Sequence, residues 1–283
     1  MSHRLSSGRL VTAAVAIAAL VAACGSNSTQ PSTSTSPGAG APVNVALAFQ
    51  PAGTSTLTWD PQTKNVTAKL QMAGFTPGST HAMHIHQGSC AATGDVIVPF
   101  PDVTADAGGA INTTVTSSQP APGGLATGTA LNMHLASGAQ LGGPGALGYT
   151  PIACADIVAA PTTTLTMAPV GEKPQGSASL TYDSGKKTLT VTTTASGLAP
   201  GSSHAQHIHL GTCNAQGAVK YPLNDLVASP SGSAETTTVI QNAEAPPASG
   251  WYLNIHLGSS GQIEQNGQPT LYFQPIICGN VGK

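Results

Sequence analysis

The chain has 283 residues, room for one large or two ordinary domains, and its 40% hydrophobic content can build a core although only 7% of residues are charged. Aromatics make up 4%, so the core must be aliphatic, and 33 Gly with 22 Pro favour turn-rich β-structure over a helix bundle or coiled coil. A formal net charge of −2 with no basic block argues against nucleic-acid binding, because phosphate neutralisation needs clustered Lys and Arg.

Residues 1–23 have the form of an export signal. His3, Arg4 and Arg9 precede an apolar run from Leu10 to Ala23, too short for a comfortable membrane span. The run ends in Val21-Ala22-Ala23-Cys24-Gly25, which resembles the lipobox of bacterial lipoproteins. That resemblance implies lipidation of Cys24 and a protein anchored to the cell membrane, facing its extracytoplasmic side; the plainer alternative is a secretory signal cut after Ala23. Residues 24–43 are a Ser/Thr/Pro-rich tether with little to bury. Both arginines lie in the signal, so the remaining chain has seven lysines against eleven acidic residues, a charge of −4.

The body is a tandem repeat. His81-Ala-Met-His-Ile-His-Gln-Gly-Ser-Cys90 returns as His204-Ala-Gln-His-Ile-His-Leu-Gly-Thr-Cys213, an offset of 123. The same offset relates Asp60 to Asp183, Pro77 to Pro200 and Asp102 to Asp225, while His134 maps to His256 at 122 and Cys154 to Cys278 at 124. Two homologous domains are therefore expected at 44–158 and 163–281, joined by a linker at 159–162. Val66, Ala68, Leu70 and Met72 alternate with polar residues, as do Leu189 and Val191, and Asp183-Ser-Gly185-Lys186 suits a hairpin turn. No 3.6 period follows the signal, so each repeat should be a small antiparallel sandwich or barrel.

Eight of the nine histidines lie in the repeats, four in each. His84 and His86 flank Ile85 in a strand-like run, and residues two apart on a strand share a face. His134, in Leu131-Asn-Met-His-Leu135, can come alongside. Three imidazoles with an open position suit copper or zinc, and the lack of an adjacent carboxylate argues against a non-haem iron triad. His207, His209 and His256 form the corresponding set. His81 and His204 have the opposite parity and read as supporting residues. Cys90, Cys154, Cys213 and Cys278 are matched between repeats, and an oxidising compartment favours disulfides within each repeat over thiolate metal ligands.

These motifs resemble copper/zinc superoxide dismutase: His-x-x-His-x-His, then Gly and Cys, a distant strand histidine, and Ala-Cys-x-x-Ile near the end. The resemblance implies two tandem Greek-key β-barrels or sandwiches, copper on His84, His86 and His134 and on His207, His209 and His256, bracing roles for His81 and His204, and disulfides Cys90–Cys154 and Cys213–Cys278. Asn132-Met-His134 and Tyr252-Leu-Asn-Ile-His256 also resemble the chordin-type CHRD domain. No histidine lies between His86 and His134 or between His209 and His256, so the bridging and zinc ligands of the dismutases are missing. One copper per domain and no zinc follow, with Asp102 and Asp225 as candidate support. The dismutases' superoxide-guiding arginine has Pro151 and Pro275 in its place, and only Lys220, expected in a loop, offers a nearby cation. Three functions are open on this reading: a surface copper-binding or redox-protective protein, met by a copper donor or superoxide; a copper-only dismutase; and a metal-free surface interaction or adhesion module. The protein partner is unspecified, and whether the chain is an enzyme is undecided.

Overall fold

The computed structural model describes residues 39–168, 170 and 173–282. The expected signal, Cys24 and the tether up to residue 38 lie outside the described residues. The first repeat contributes β1 (Val43–Phe49), β2 (Ala52–Trp59), β3 (Val66–Ala73), β4 (Thr80–His81), β5 (Met83–Ser89), β6 (Ala92–Pro99), β7 (Val103–Thr104), β8 (Ala110–Thr116), β9 (Thr129–His134) and β10 (Pro151–Asp156). The second contributes β11 (Thr162–Met167), β12 (Gln175–Asp183), β13 (Thr188–Ser196), β14 (Ser203–Thr212), β15 (Ala215–Val227), β16 (Ala234–Ile240), β17 (Trp251–His256), β18 (Glu264–Gln265), β19 (Gln268–Pro269) and β20 (Pro275–Asn280). Among the described residues there is no α-helix, only short 3-10 turns at Gly138–Gln140, Leu147–Tyr149 and Leu271–Phe273. None is long and apolar enough to cross a membrane.

Alternation sets the faces. In β3, Val66, Ala68, Leu70 and Met72 point inward, and in β13 Leu189, Val191, Thr193 and Ala195 do. The β12–β13 hairpin turns at residues 184–187, as the Asp183-Ser-Gly-Lys motif predicts. Two four-stranded sheets, β10-β9-β5-β6 and β11-β2-β3-β8, enclose the first core, which includes Leu57, Leu70, Phe75, Met83, Leu131 and Leu165. An eight-stranded sheet, β15-β14-β17-β20-β1-β12-β13-β16, curls around the second, which includes Leu47, Leu180, Leu189, Ile208, Leu253 and Ile277. Its edge strands meet where Asn224 N–H donates to Thr238 Oγ1 at 2.9 Å.

The repeats exchange their first strands. β1 comes from the first repeat but pairs with β12, from Val43↔Leu180 to Leu47↔Gly176, and with β20, at Ala48↔Cys278 and Phe49↔Ile277. β11 comes from the second repeat but pairs with β2, from Thr162↔Thr58 to Met167↔Gly53, and bridges to β10 at Cys154↔Ala168. Short connections enforce this. Only Gln50 and Pro51 separate β1 from β2, and five residues separate β10 from β11. β11 therefore lands on the barrel its chain has just left, and β1 sits across the junction from β2. Gly279 permits the packing, because a Cβ there would lie 2.3 Å from the carbonyl oxygen of Ala46 on β1.

Candidate metal centres

β5 and β9 pair antiparallel with His84↔Asn132 and Met83↔Met133, which sets the β5 histidines beside the end of β9. His84 and His86 share a face, and His134 closes the triangle: ring centroids are 5.6 Å apart for His84–His86, 5.1 Å for His84–His134 and 5.5 Å for His86–His134. β14 and β17 repeat the arrangement, with 5.5 Å for His207–His209, 5.0 Å for His207–His256 and 6.1 Å for His209–His256. Within each group the candidate ligand nitrogens all lie within 4.8 Å of one another. No cysteine or carboxylate joins either group among the described residues.

Backbone carbonyls fix the tautomers. A carbonyl only accepts, so the nitrogen facing it carries the ring proton. His86 Nδ1–H donates to Gly94 O at 2.9 Å and His134 Nδ1–H to Tyr149 O at 2.8 Å. His209 Nδ1–H donates to Gly217 O at 3.0 Å and His256 Nδ1–H to Phe273 O. The Nε2 lone pairs of these four rings therefore point into the two triangles. His86 Nε2 and His134 Nε2 face each other at 3.4 Å, and His207 Nδ1 faces His256 Nε2 at 3.1 Å. Nitrogens sharing a metal at 2.0–2.1 Å stand about 3.4–3.6 Å apart. His84 Nδ1 and His209 Nε2 are buried with no hydrogen-bond partner among the described residues, and an ion in the triangle would satisfy both.

Burial favours the neutral form of five of the six rings. It lowers His84 and His207 to about 4, helped by their neighbouring histidines and opposed by Asp102 and Asp225 respectively. It lowers His256 to about 3, and moves His134 and His209 down as well. Neutral imidazole is the ligand form, so these sites are ready for a metal at neutral pH. These five rings therefore resist protonation to lower pH than a free imidazole, which titrates near 6.5.

His81 and His204 lie outside the triangles and brace them. His81 Nδ1–H donates to His134 O at 2.9 Å, and its ring packs 4.8 Å from Phe75. His204 Nδ1–H donates to His256 O at 2.8 Å. On the other side, His81 Nε2 meets Ser79 Oγ at 2.6 Å and His204 Nε2 meets Ser202 Oγ at 2.6 Å. The sequence signal for these serines is a Ser two residues before each histidine, in Pro-Gly-Ser-x-His. Asp102 accepts from Gly138 N–H at 3.1 and 2.9 Å, while Asp225 accepts from Ser260 N–H at 3.0 Å and Ser203 Oγ at 3.2 Å. Both carboxylates pin the segment after the last ligand and hydrogen-bond no histidine. Lys220 belongs to β15 rather than a loop, with its ammonium 3.0 Å from Glu244 and over the rings of Tyr221 and Trp251.

The sites differ in their aromatic neighbours. Tyr149 packs 4.8 Å from His134, where the second repeat has Phe273 at 4.5 Å from His256. Tyr252 stacks on His209 at 4.9 Å and also packs against Cys213 and Cys278, where the first repeat has Ala130. Disulfides tie each domain: Cys90–Cys154 with an S–S distance of 1.99 Å and Cys213–Cys278 with 2.01 Å.

A comparison with curated proteins finds no match. The CHRD domain family matches the chain twice, over residues 22–143 and 158–263, most of its length. This all-β protein, with its two disulfide-tied histidine centres, belongs to the CHRD domain family in two tandem copies.

Proposed function

We propose that this protein is an exported surface interaction module of two CHRD domains, each holding one transition-metal ion. The tandem family match supports the module. The pair of inward-facing histidine triangles supports the metal, and one observation carries it: a buried ligand nitrogen in each triangle, on His84 and on His209, has no partner among the described residues. A metal ion would satisfy both, and a buried nitrogen left with no partner at all costs about 1–3 kcal/mol. Three imidazoles without thiolate or carboxylate favour copper, which stands at the top of the affinity order for divalent metals. The signal and lipobox motif support export and anchoring through a lipid on Cys24.

Metal analysis of full-length protein exposed to copper and then dialysed tests this reading. One equivalent per domain is expected, with His134→Ala removing one and leaving the other. A folded protein that retains no copper at neutral pH leaves only the metal-free module.

Superoxide dismutation is the second reading, favoured by the ligand resemblance. Fast capture of that anion needs a positive field at the metal. Pro151 and Pro275 supply neither charge nor donor, and the chain beyond residue 23 contains no arginine. The ammonium of Lys220 is engaged by Glu244. Any copper-dependent turnover is therefore expected well below the diffusional ceiling of about 10⁹ M⁻¹s⁻¹, with weak dependence on ionic strength. Pulse radiolysis giving a rate near that ceiling would restore the dismutase.

A further inference from the structure

The two histidine centres are joined by a one-way set of contacts through the domain junction. Behind the second centre, Gly217 O and Phe273 O orient His209 and His256. The residue adjacent to each carbonyl is a buried glutamine that reaches into the first domain. Gln216 Nε2 donates to Phe75 O at 2.8 Å. Gln274 Nε2 donates to Gly74 O at 2.9 Å, and its Oε1 accepts from Thr76 N–H at 3.3 Å. The loop Gly74-Phe75-Thr76 is thus gripped along its backbone from the second domain. Gly74 has φ +89°, a backbone conformation that favours glycine at this point of the loop.

That loop supports the first centre. Phe75 packs on the ring of His81, which donates to His134 O. Thr76 O lies 2.7 Å from Ser79 Oγ, and Ser79 Oγ lies 2.6 Å from His81 Nε2. The neutral His81 ring spends its one proton on His134 O. The Ser79 hydroxyl has one proton for two acceptors, Thr76 O and His81 Nε2, so it has two discrete arrangements. In one it locks His81, and through it the backbone of His134; in the other it bonds Thr76. The position of Thr76, held by Gln274, biases the choice. Thr93 and Thr150 of the first repeat stand where the second has Gln216 and Gln274, so the first repeat has no matching glutamines to reach back.

We propose that the two metal centres are coupled across the junction through Gln216, Gln274 and the Gly74–Thr76 loop, so that filling either centre raises the affinity of the other. The proposal rests on the metal reading above. A metal on His209 and His256 makes their Nδ1–H groups stronger donors and stiffens the Gly217 and Phe273 carbonyls. The neighbouring glutamines then hold the loop in one arrangement, and the ordering cost that His134 would otherwise meet is already met.

The experiment is a copper titration of the full-length protein against a competing chelator. Coupling of the ordinary size gives about a five-fold or larger change in affinity. His207→Ala should weaken the first centre by that factor, and His84→Ala should weaken the second by the same factor, because linkage is reciprocal. In Gln216→Ala/Gln274→Ala both centres should fill independently, and adding His207→Ala should no longer change the first. The histidine variants leave the junction intact, so they decide the matter even where the glutamine variant folds poorly. Two filled centres whose affinities ignore each other overturn the coupling and leave the metal reading standing. No copper at either centre overturns both.

Discussion

Leu47 lies in the first repeat's sequence, yet its side chain is buried in the second core, and Leu165 of the second repeat is buried in the first. Truncating each to alanine therefore makes a crossed prediction. Leu47 is 4% exposed and Leu165 5%, so either change removes most of a buried side chain and leaves a cavity. The expected cost is about 3 kcal/mol for each. With a urea slope of about 2 kcal/mol/M, that moves a midpoint by about 1.5 M. Two tryptophans report the barrels separately. Trp59 ends β2, with its indole N–H donating to Ala121 O at 2.9 Å, and Trp251 begins β17 in the second core. In single-tryptophan versions, Leu47→Ala should destabilise the Trp251 signal and Leu165→Ala the Trp59 signal. Native-state hydrogen exchange separates the barrels if they unfold together: Leu47→Ala should speed exchange in β12, β13 and β20 before β2, β3 and β8. The opposite assignment, with Leu47→Ala loosening the first barrel, would refute the strand exchange.

Acid should destabilise the metal-free protein in a defined window. An unfolded histidine titrates near 6.5, whereas burial holds His81 at about 4 in the fold, so this contribution is complete above about pH 6.5 and lost as pH falls towards 4, by about 3 kcal/mol for this buried ring alone. A pH series of urea midpoints that stays flat from 6.5 to 4 would contradict the burial of these rings. Replacing Cys213 and Cys278 by alanine opens a crosslink spanning 65 residues and should cost about 4 kcal/mol, and peptide mapping without reductant should recover Cys90–Cys154 and Cys213–Cys278 with no cross-domain pair. Cys24→Ser should release the protein into the soluble fraction; a variant that stays on the membrane has another anchor.

Much of this arrangement was readable from residue order because it is local. His84 and His86 converge by strand parity, His81 turns away by the same parity, and the offset near 123 matches each cysteine and third histidine of one repeat to its counterpart in the other. The strand exchange was not readable. β1 and β11 both present alternating apolar residues to a core, and either could complete either barrel; connection length decides, and that length has meaning only once the neighbouring strands are placed. The carbonyls that orient the ligands were equally hidden, since every residue has one. Gln216 and Gln274 carry no local signature, and Lys220 lies within a thirteen-residue strand rather than the expected loop.

The exchanged strand also sets an order of assembly. In a chain that emerges from its N-terminus, the first barrel can close once β11 has appeared at residue 167. β1 finds no neighbour until β12, residues 175–183, and remains hydrogen-bonded on one side until β20, residues 275–280. The four cysteines of the two bridges emerge in the order of their pairing, Cys90 with Cys154 and then Cys213 with Cys278, so pairing each as it arrives with the last unpaired one of these four gives the native bridges without reshuffling. A chain cut short before Pro275 would carry an open strand edge and the unpaired thiol of Cys213 together. Completion of the protein is thereby written into two chemical signals at once, and both disappear when β20 docks.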